Sequence, residues 1–186
     1  ALTTGTDNVA IGENALDAVT SGADNTAVGD NALGANTTAA NNVAVGSAAL
    51  LVNTTGASNV AMGAYALDAN IDGDNNTGIG YRALGANTTA DNNVAIGKDA
   101  LLLNTTGAAN IAVGAYALDA VTTSSYNTAI GGASLTANTG ASNTGVGYGT
   151  LEANTSGTRN VAVGATALDA NTTASYNTAV GYAAIG

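Results

Sequence analysis

The chain has 186 residues and a formal net charge of −10, and it contains no Pro, Cys, His, Trp or Phe. Without His or Cys it offers no thiol nucleophile, no imidazole base and no zinc ligands of the usual types. Three basic residues cannot track a phosphate backbone and no apolar run approaches the roughly 18 residues that span a bilayer, so we expect neither a nucleic-acid partner nor membrane insertion.

One five-residue phrase, Asn-(Thr/Val/Ile)-(Ala/Gly)-(Val/Ile/Met)-Gly, recurs eleven times along the chain. Successive copies lie 17 residues apart, except for one interval of 16, and a Leu follows each Asn at eight residues, replaced by Ile185 in the last copy. A period this strict predicts a stack of equivalent units, each contacting only its neighbours. The copies begin at Asn8, Asn25, Asn42, Asn59, Asn76, Asn93, Asn110, Asn127, Asn143, Asn160 and Asn177.

Each unit predicts two short strands, as the unit that begins at Asn59 illustrates. The first strand would contain Val60 and Met62 on one face and Ala61 on the other, because side chains alternate along a strand. Gly63 would end this strand, since Gly allows the chain to turn away.

The second strand is predicted around Leu67 and Ala69, which would share a face opposite Ala66 and Asp68. The Asn-rich segment that follows would make the return, using residues that tolerate left-handed backbone. One unit is then one coil. The chain is predicted to be all-β, a single β-solenoid (β-roll) array over residues 1–186 with about eleven stacked coils of 17 residues, and a segment of a longer fibre.

Stacking turns each position of the unit into a column along the rod. We expect the Val/Ile/Met column and the Leu column to form the interior, and the small residue of the first strand to face outward. Uniform Ala or Gly on an outer face suggests close packing of another chain, so we expect lateral association. The Val/Ile/Met column is Ile11, Val28, Val45, Met62, Ile79, Ile96, Val113, Ile130, Val146, Val163 and Val180. The small column is Ala10, Ala27, Ala44, Ala61, Gly78, Ala95, Ala112, Ala129, Gly145, Ala162 and Ala179.

The Asn at the head of each unit is predicted to form a ladder of stacked amides, each side chain bonding those above and below it. The alternative is a simple turn former. We favour the ladder because Asp or Ser would serve a turn equally well and never occur at this position.

The coils also follow a pattern of three, since residues 34–84 align with residues 85–135 nearly word for word. An Ala-Leu-Asp-Ala phrase marks every third coil, with its carboxylates at Asp17, Asp68, Asp119 and Asp169. These carboxylates are either a cation or ligand site repeated along the fibre, or the result of duplicating a three-coil block in which like charges are kept apart. The one-residue deletion that follows Leu135 falls in the return loop, where solenoids tolerate it.

Several motifs imitate binding sites, and we assign no catalytic, cofactor-binding or metal-binding residue from them. Gly78-Ile-Gly80 resembles a nucleotide-binding pattern but lacks a following helix. Asp72-Gly-Asp74 could offer oxygens to calcium, although a solvated turn accounts for it better. Asn-x-Thr/Ser triplets match glycan acceptors, although turn chemistry explains them, and they begin at Asn36, Asn53, Asn75, Asn87, Asn104, Asn154 and Asn171. Tyrosines near the phrase could contact sugars but form no continuous column: Tyr81, Tyr126, Tyr148, Tyr176 and Tyr182.

The phrases Asn-Thr-Ala-Val-Gly, Gly-Tyr-x-Ala-Leu and Asn-Thr-Thr-Gly resemble the repeats of bacteriophage tail-fibre and related surface-fibre proteins, over essentially the whole chain. They are also similar to the Asn-x-Val/Ala-Ile-Gly repeats in the heads of trimeric autotransporter adhesins. The resemblance implies a left-handed β-solenoid or β-roll, three chains that wind around one another or pack side by side, and a role in reaching and attaching to a surface.

We therefore expect a non-enzymatic structural or adhesive fibre segment, extracellular or on a cell surface or virion. Its expected partners are copies of itself, as a homotrimer or in lateral or axial assembly, and surface glycans or a host receptor. One alternative is an ice-binding β-solenoid, which requires a flat outward rank of Thr, whereas Thr26 is expected to point inward. Another is a head-to-tail filament, because unpaired coil edges invite strand addition.

Overall fold

The computed structural model describes residues 4–185 as a β-solenoid, while residues 1–3 and 186 lie outside the described residues. Each coil contributes one three-residue strand, and the eleven strands form one parallel sheet in chain order. No helix occurs between residues 4 and 185, and the all-β solenoid predicted from the period is confirmed. The strands are β1 (Val9–Ile11), β2 (Thr26–Val28), β3 (Val43–Val45), β4 (Val60–Met62), β5 (Thr77–Ile79), β6 (Val94–Ile96), β7 (Ile111–Val113), β8 (Thr128–Ile130), β9 (Thr144–Val146), β10 (Val161–Val163) and β11 (Thr178–Val180).

Equivalent residues of successive coils lie directly over one another, even across the 16-residue interval. There Thr128 pairs with Thr144, so the sheet register is unchanged. The return loop absorbs the deletion, because Asn138 Nδ2 donates to the carbonyl of Gly140 two residues on (2.8 Å). Equivalent Asn side chains in other coils reach three residues on. The deletion therefore lies where the sequence predicted it.

The two faces of each strand are the reverse of the prediction. Ala61 is completely buried and Met62 is 42% exposed, and the other central strands follow the same order. The opposite arm of the coil lies too close for a larger side chain, since a Cβ added at Gly78 would be 3.3 Å from Leu67 Cγ. The prediction that the Val/Ile/Met column forms the interior is therefore wrong, and so is the outward placement of the Ala/Gly column.

The predicted second strand is also wrong, because residues 64–69 form turns instead. Tyr65 and Leu67 adopt left-handed backbone, with φ of 58° and 53°. This path points both Ala66 and Leu67 into the interior, where an extended strand would bury only one of two neighbours. The main chain still joins the coils, as Leu67 N–H donates to the carbonyl of Ala83 (3.0 Å). The buried Leu column is confirmed.

The head-of-unit Asn column forms a ladder with a different bonding pattern from the predicted one. Asn93 Oδ1 accepts the main-chain N–H of Asn110 in the next coil (2.9 Å), and Asn93 Nδ2 donates to the carbonyl of Gly107 (2.9 Å). Each side chain therefore satisfies the main chain of the next coil rather than mainly another amide. This geometry excludes Asp, which has no donor, and Ser, which is too short to make both bonds.

Stacked amides do occur, in a second buried Asn column in the return loop. Asn70 Nδ2 donates to Asn53 Oδ1 (2.8 Å), and Asn87 Nδ2 donates to Asn70 Oδ1 (2.7 Å). The interior of most coils thus consists of one Leu, two small residues and two amides, with Val19 and Val121 replacing the second amide in two coils. Such a thin core depends on hydrogen bonding between coils as much as on apolar burial.

Candidate functional site

The outward side of the sheet is a long apolar surface, which we call the strand face. It comprises the first and third residues of the eleven strands, all of them Val, Ile or Thr except Met62. None of the three basic and thirteen acidic residues lies in a strand. The third positions are the Val/Ile/Met column given above, and the first are Val9, Thr26, Val43, Val60, Thr77, Val94, Ile111, Thr128, Thr144, Val161 and Thr178.

The strand face is regular and stiff. Strands spaced by about 4.8 Å make a face about 50 Å long, and β-branched side chains have restricted χ1 rotamers. Large apolar side chains remain exposed along it, including Ile96 (38%) and Ile130 (42%). Thr26 belongs to this face, so the expectation that it points inward is wrong. A contiguous apolar surface of this size is typical of an interaction site.

A second surface, which we call the aromatic edge, lies where each coil turns away from the sheet. Its residues occupy the fifth and sixth positions after the head Asn in four consecutive coils: Tyr65, Tyr81, Arg82, Lys98, Asp99 and Tyr116. All of these except Asp99 are exposed. This cluster breaks the sequence repeat, because other coils carry mainly small or Asn residues at these positions.

The residues of the aromatic edge contact one another in a chain. The rings of Tyr65 and Tyr81 meet edge to face, with centroids 6.1 Å apart. Asp99 is buried between two cations, with Oδ1 3.9 Å from Arg82 Nη1 and Oδ2 3.7 Å from Lys98 Nζ. The last contact of this series is the hydrogen bond that Lys98 Nζ donates to the hydroxyl of Tyr116 (2.7 Å). This bond raises the pKa of Lys98.

A cleft of about 150 Å³ adjoins the aromatic edge at Arg82. Gly85 is one of its lining residues, and an added Cβ there would lie 3.2 Å from the carbonyl oxygen of Arg82 and 3.5 Å from Asp68 Oδ1. Burial raises the pKa of Asp68, and the guanidinium of Arg82 partly opposes this shift. The complete lining is Asp68, Arg82, Gly85, Ala86, Leu102 and Leu103.

The motifs singled out in the sequence serve structural roles. Asp74 Oδ1 accepts the N–H of Ala57 (2.7 Å), and Asp91 Oδ1 accepts the N–H of Asp74 (2.7 Å), so these carboxylates join coils. Within residues 4–185 no group of three or more acidic side chains could hold a metal ion. Gly80 is one of a column of glycines with positive φ, and the residues that follow it form turns and not a helix.

Five of the seven possible glycan acceptors are completely buried. Asn87, for example, donates to Asn70 and to the carbonyl of Ala90. Turn and ladder bonding therefore accounts for these triplets in the folded chain, while Asn75 is exposed. The buried five are Asn36, Asn53, Asn87, Asn104 and Asn154.

The sequence analysis did not find the aromatic edge. A signal was present, because Tyr65, Arg82, Asp99 and Tyr116 are spaced by the 17-residue period. The positions of the tyrosines alone do not reveal the aromatic edge, since it alternates between aromatic and charged residues in two adjacent columns.

No family model, curated protein or solved structure matches this chain. In the part of the chain that the structure describes, no helix has the length and apolar character needed to cross a membrane. Its function therefore has to follow from its own surfaces.

Proposed function

We propose that the chain is a non-enzymatic structural and adhesive segment of an extracellular fibre, on a virion or a cell surface, in which copies pack side by side through their strand faces. The observation that carries the proposal is the apolar strand face on a chain of net charge −10. All sixteen charged residues lie outside the strands, and a surface without charge is the composition of an interface core.

A second copy of the chain is the partner that best fits the strand face. The side chains repeat at the strand spacing of about 4.8 Å in every copy, so those of one face can interdigitate with those of another along the whole rod. A face of about 50 by 10 Å buries roughly 1,000 Å² in a pair, at the lower limit for a specific interface. The resemblance to trimeric fibres favours three chains around a common axis, each meeting its two neighbours through its strand face.

Charge placed on the strand face should separate the copies. We expect the protein to sediment as a trimer and the double variant Ile79→Glu, Val113→Glu to sediment as a folded monomer, because the buried carboxylates would lack partners. The matched control, Val52→Glu with Ile71→Glu, charges two exposed apolar side chains outside the face and should remain trimeric. A wild-type monomer, or equal dissociation of both variants, would contradict the proposal.

The outward threonines favour ice binding as a second candidate function. Thr occupies five of the eleven first positions on a flat and regular face, at Thr26, Thr77, Thr128, Thr144 and Thr178. Thermal hysteresis in a dilute solution, lost in the double variant Thr77→Lys, Thr128→Lys, would establish this function. Its absence would leave the fibre proposal as the explanation of the face.

A further inference from the structure

We infer that the aromatic edge and the cleft at Gly85 together bind a neutral carbohydrate, an inference that rests on the adhesive part of the proposed function by supplying its attachment site.

Four residues of the aromatic edge, Tyr81, Arg82, Lys98 and Asp99, depart from a repeat whose other copies fold without them, whereas Tyr65 and Tyr116 recur at 51 residues. At the positions 51 residues before Tyr65, Tyr81 and Arg82 the chain has Asn14, Asp30 and Asn31, and the coils there have the same main-chain path. Two of the three basic residues and four of the seven tyrosines lie in these four coils, and three of those tyrosines belong to the aromatic edge.

The main chain presents these side chains at one position of the repeat. Tyr65, Arg82, Asp99 and Tyr116 adopt left-handed backbone, with φ between 54° and 60°, as the equivalent residues of other coils do, including Ala48. The aromatic edge is therefore distinguished by its side chains and not by its backbone.

The chemistry of the edge fits sugar hydroxyls and ring faces. Tyr65, Tyr81 and Tyr116 are each between 42% and 47% exposed and offer apolar ring faces to the C–H face of a sugar. Arg82 supplies several N–H donors. Asp99 Oδ1 is buried beside Arg82 and has no hydrogen-bond partner among the described residues, so it can accept a ligand hydroxyl once the Arg82 side chain turns aside.

The charges select a neutral ligand. Arg82 and Lys98 are balanced by Asp68 and Asp99, so the site has no net formal charge. The acidic rod as a whole repels polyanions. Four coils span about 14 Å, which suits a short oligosaccharide lying along the rod.

Saturation-transfer difference NMR with neutral trisaccharides of glucose, galactose and mannose tests this inference. We expect transfer to at least one trisaccharide, and about tenfold weaker binding in Arg82→Asn and in Tyr81→Asp, since each loses one strong contact. These substitutions install the residues found 51 positions earlier, so the fold accommodates them. The control Arg159→Asn removes a guanidinium that donates to the Tyr176 hydroxyl (2.9 Å) away from the edge, and should bind as wild type.

Three results would overturn the inference: no transfer to any neutral trisaccharide, equal weakening in Arg159→Asn, or preferential binding of a heparin-derived hexasaccharide. Sedimentation of the same samples separates this outcome from that of the proposed function. A trimer that binds no sugar refutes only the carbohydrate site, and a monomer that binds sugar refutes only the side-by-side assembly.

Discussion

At the scale of single residues, the interior is so narrow that one atom decides which side chain a position accepts. A Cβ added at Gly145 would lie 2.6 Å from both Ser134 Oγ and Thr150 Oγ1, which are hydrogen-bonded to each other at 2.6 Å. The coils on either side of this pair have Ala in both columns, at Ala112 and Ala117 and at Ala162 and Ala167. Gly145 therefore lacks the Cβ that Ala has in other coils, at the place where the hydroxyls of Ser134 and Thr150 meet, because a close-packed interior has no spare volume.

The glycine that ends each strand should tolerate no side chain. In Gly80→Ala we expect a loss of at least about 3 kcal/mol in the free energy of unfolding. Gly80 has φ of +131°, and the new Cβ would be 2.6 Å from the carbonyl oxygen of Gly97. The control Gly132→Ala, where the nearest atom is 3.7 Å away, should be nearly neutral in urea unfolding. Equal stability of the two variants would contradict this explanation.

Two half-buried carboxylates should make the rod more stable in mild acid. Burial raises the pKa of Asp68 and of Asp119, and the neighbouring Asp99 adds to the shift at Asp119. The folded state then holds these protons more tightly than the unfolded chain, so the stability that they contribute is fully present below the unfolded pKa of 3.8 and is lost as pH rises through the folded pKa. We expect Tm to rise by a few degrees between about pH 7 and about pH 4.

Neutralising these two carboxylates should flatten that pH profile. The double variant Asp68→Asn, Asp119→Asn should have a higher Tm at neutral pH and a smaller rise in acid, as measured by circular dichroism. The control Asp72→Asn alters an exposed carboxylate in the return loop and should leave the rise unchanged. A Tm that falls on mild acidification would show that the sign is wrong.

At the scale of the element, each column behaves as a hydrogen-bonded chain that one substitution can interrupt. Val121 is completely buried in the second Asn column, next to Asn104. Asn104 Oδ1 consequently has no hydrogen-bond partner among residues 4–185. The hydrogen bonding within an Asn column thus depends on an amide being present in each successive coil, as in stacked amide ladders.

Restoring this column should stabilise the rod. We expect Val121→Asn to add about 1 kcal/mol to the free energy of unfolding, because its amide would donate to Asn104 Oδ1. The converse change, Asn87→Val, should cost about 2 kcal/mol by leaving Asn70 Oδ1 unpaired in the interior. Urea denaturation measures both, and a destabilising Val121→Asn would mean that Val burial outweighs the amide bond.

Sequence reasoning predicted the elements unevenly for a physical reason. The β-branched phrase from Val60 to Met62 predicted a strand with the observed bounds. The segment around Leu67 was wrongly predicted as a strand, since left-handed backbone at Leu carries no sequence signature comparable to Gly or Asn. The recurrence of Leu at one position of every repeat nevertheless predicted correctly that Leu67 lies in the interior.

At the scale of the whole molecule, the rod is a one-dimensional array in which each coil contacts its two neighbours. Strand contacts occur only between consecutive strands of the described chain. Stability should therefore be approximately a sum over coils and the contacts between them. Removing whole coils should shorten the rod without changing its fold.

Deletion of residues 85–135 tests this additivity. It removes one three-coil block and joins Leu84 to Thr136 in register, so we expect a folded rod whose urea m-value is lower by about a quarter. Deletion of residues 85–127 removes a non-integral number of coils and should abolish cooperative unfolding. If the two deletions behave alike, the coils do not act as independent units.

The sequence by itself determined that the chain stacks into a solenoid, where the first predicted strand of each coil lies, that Leu faces inward and that the return loop absorbs the deletion. These features follow from local residue types and their spacing. Only the tertiary structure decided which side of each strand is buried, because alternation defines two faces without saying which one meets the opposite arm. The left-handed turns bring Leu67 so close to the sheet that only Ala or Gly fits opposite it, and the Val, Ile and Thr side chains are left on the surface.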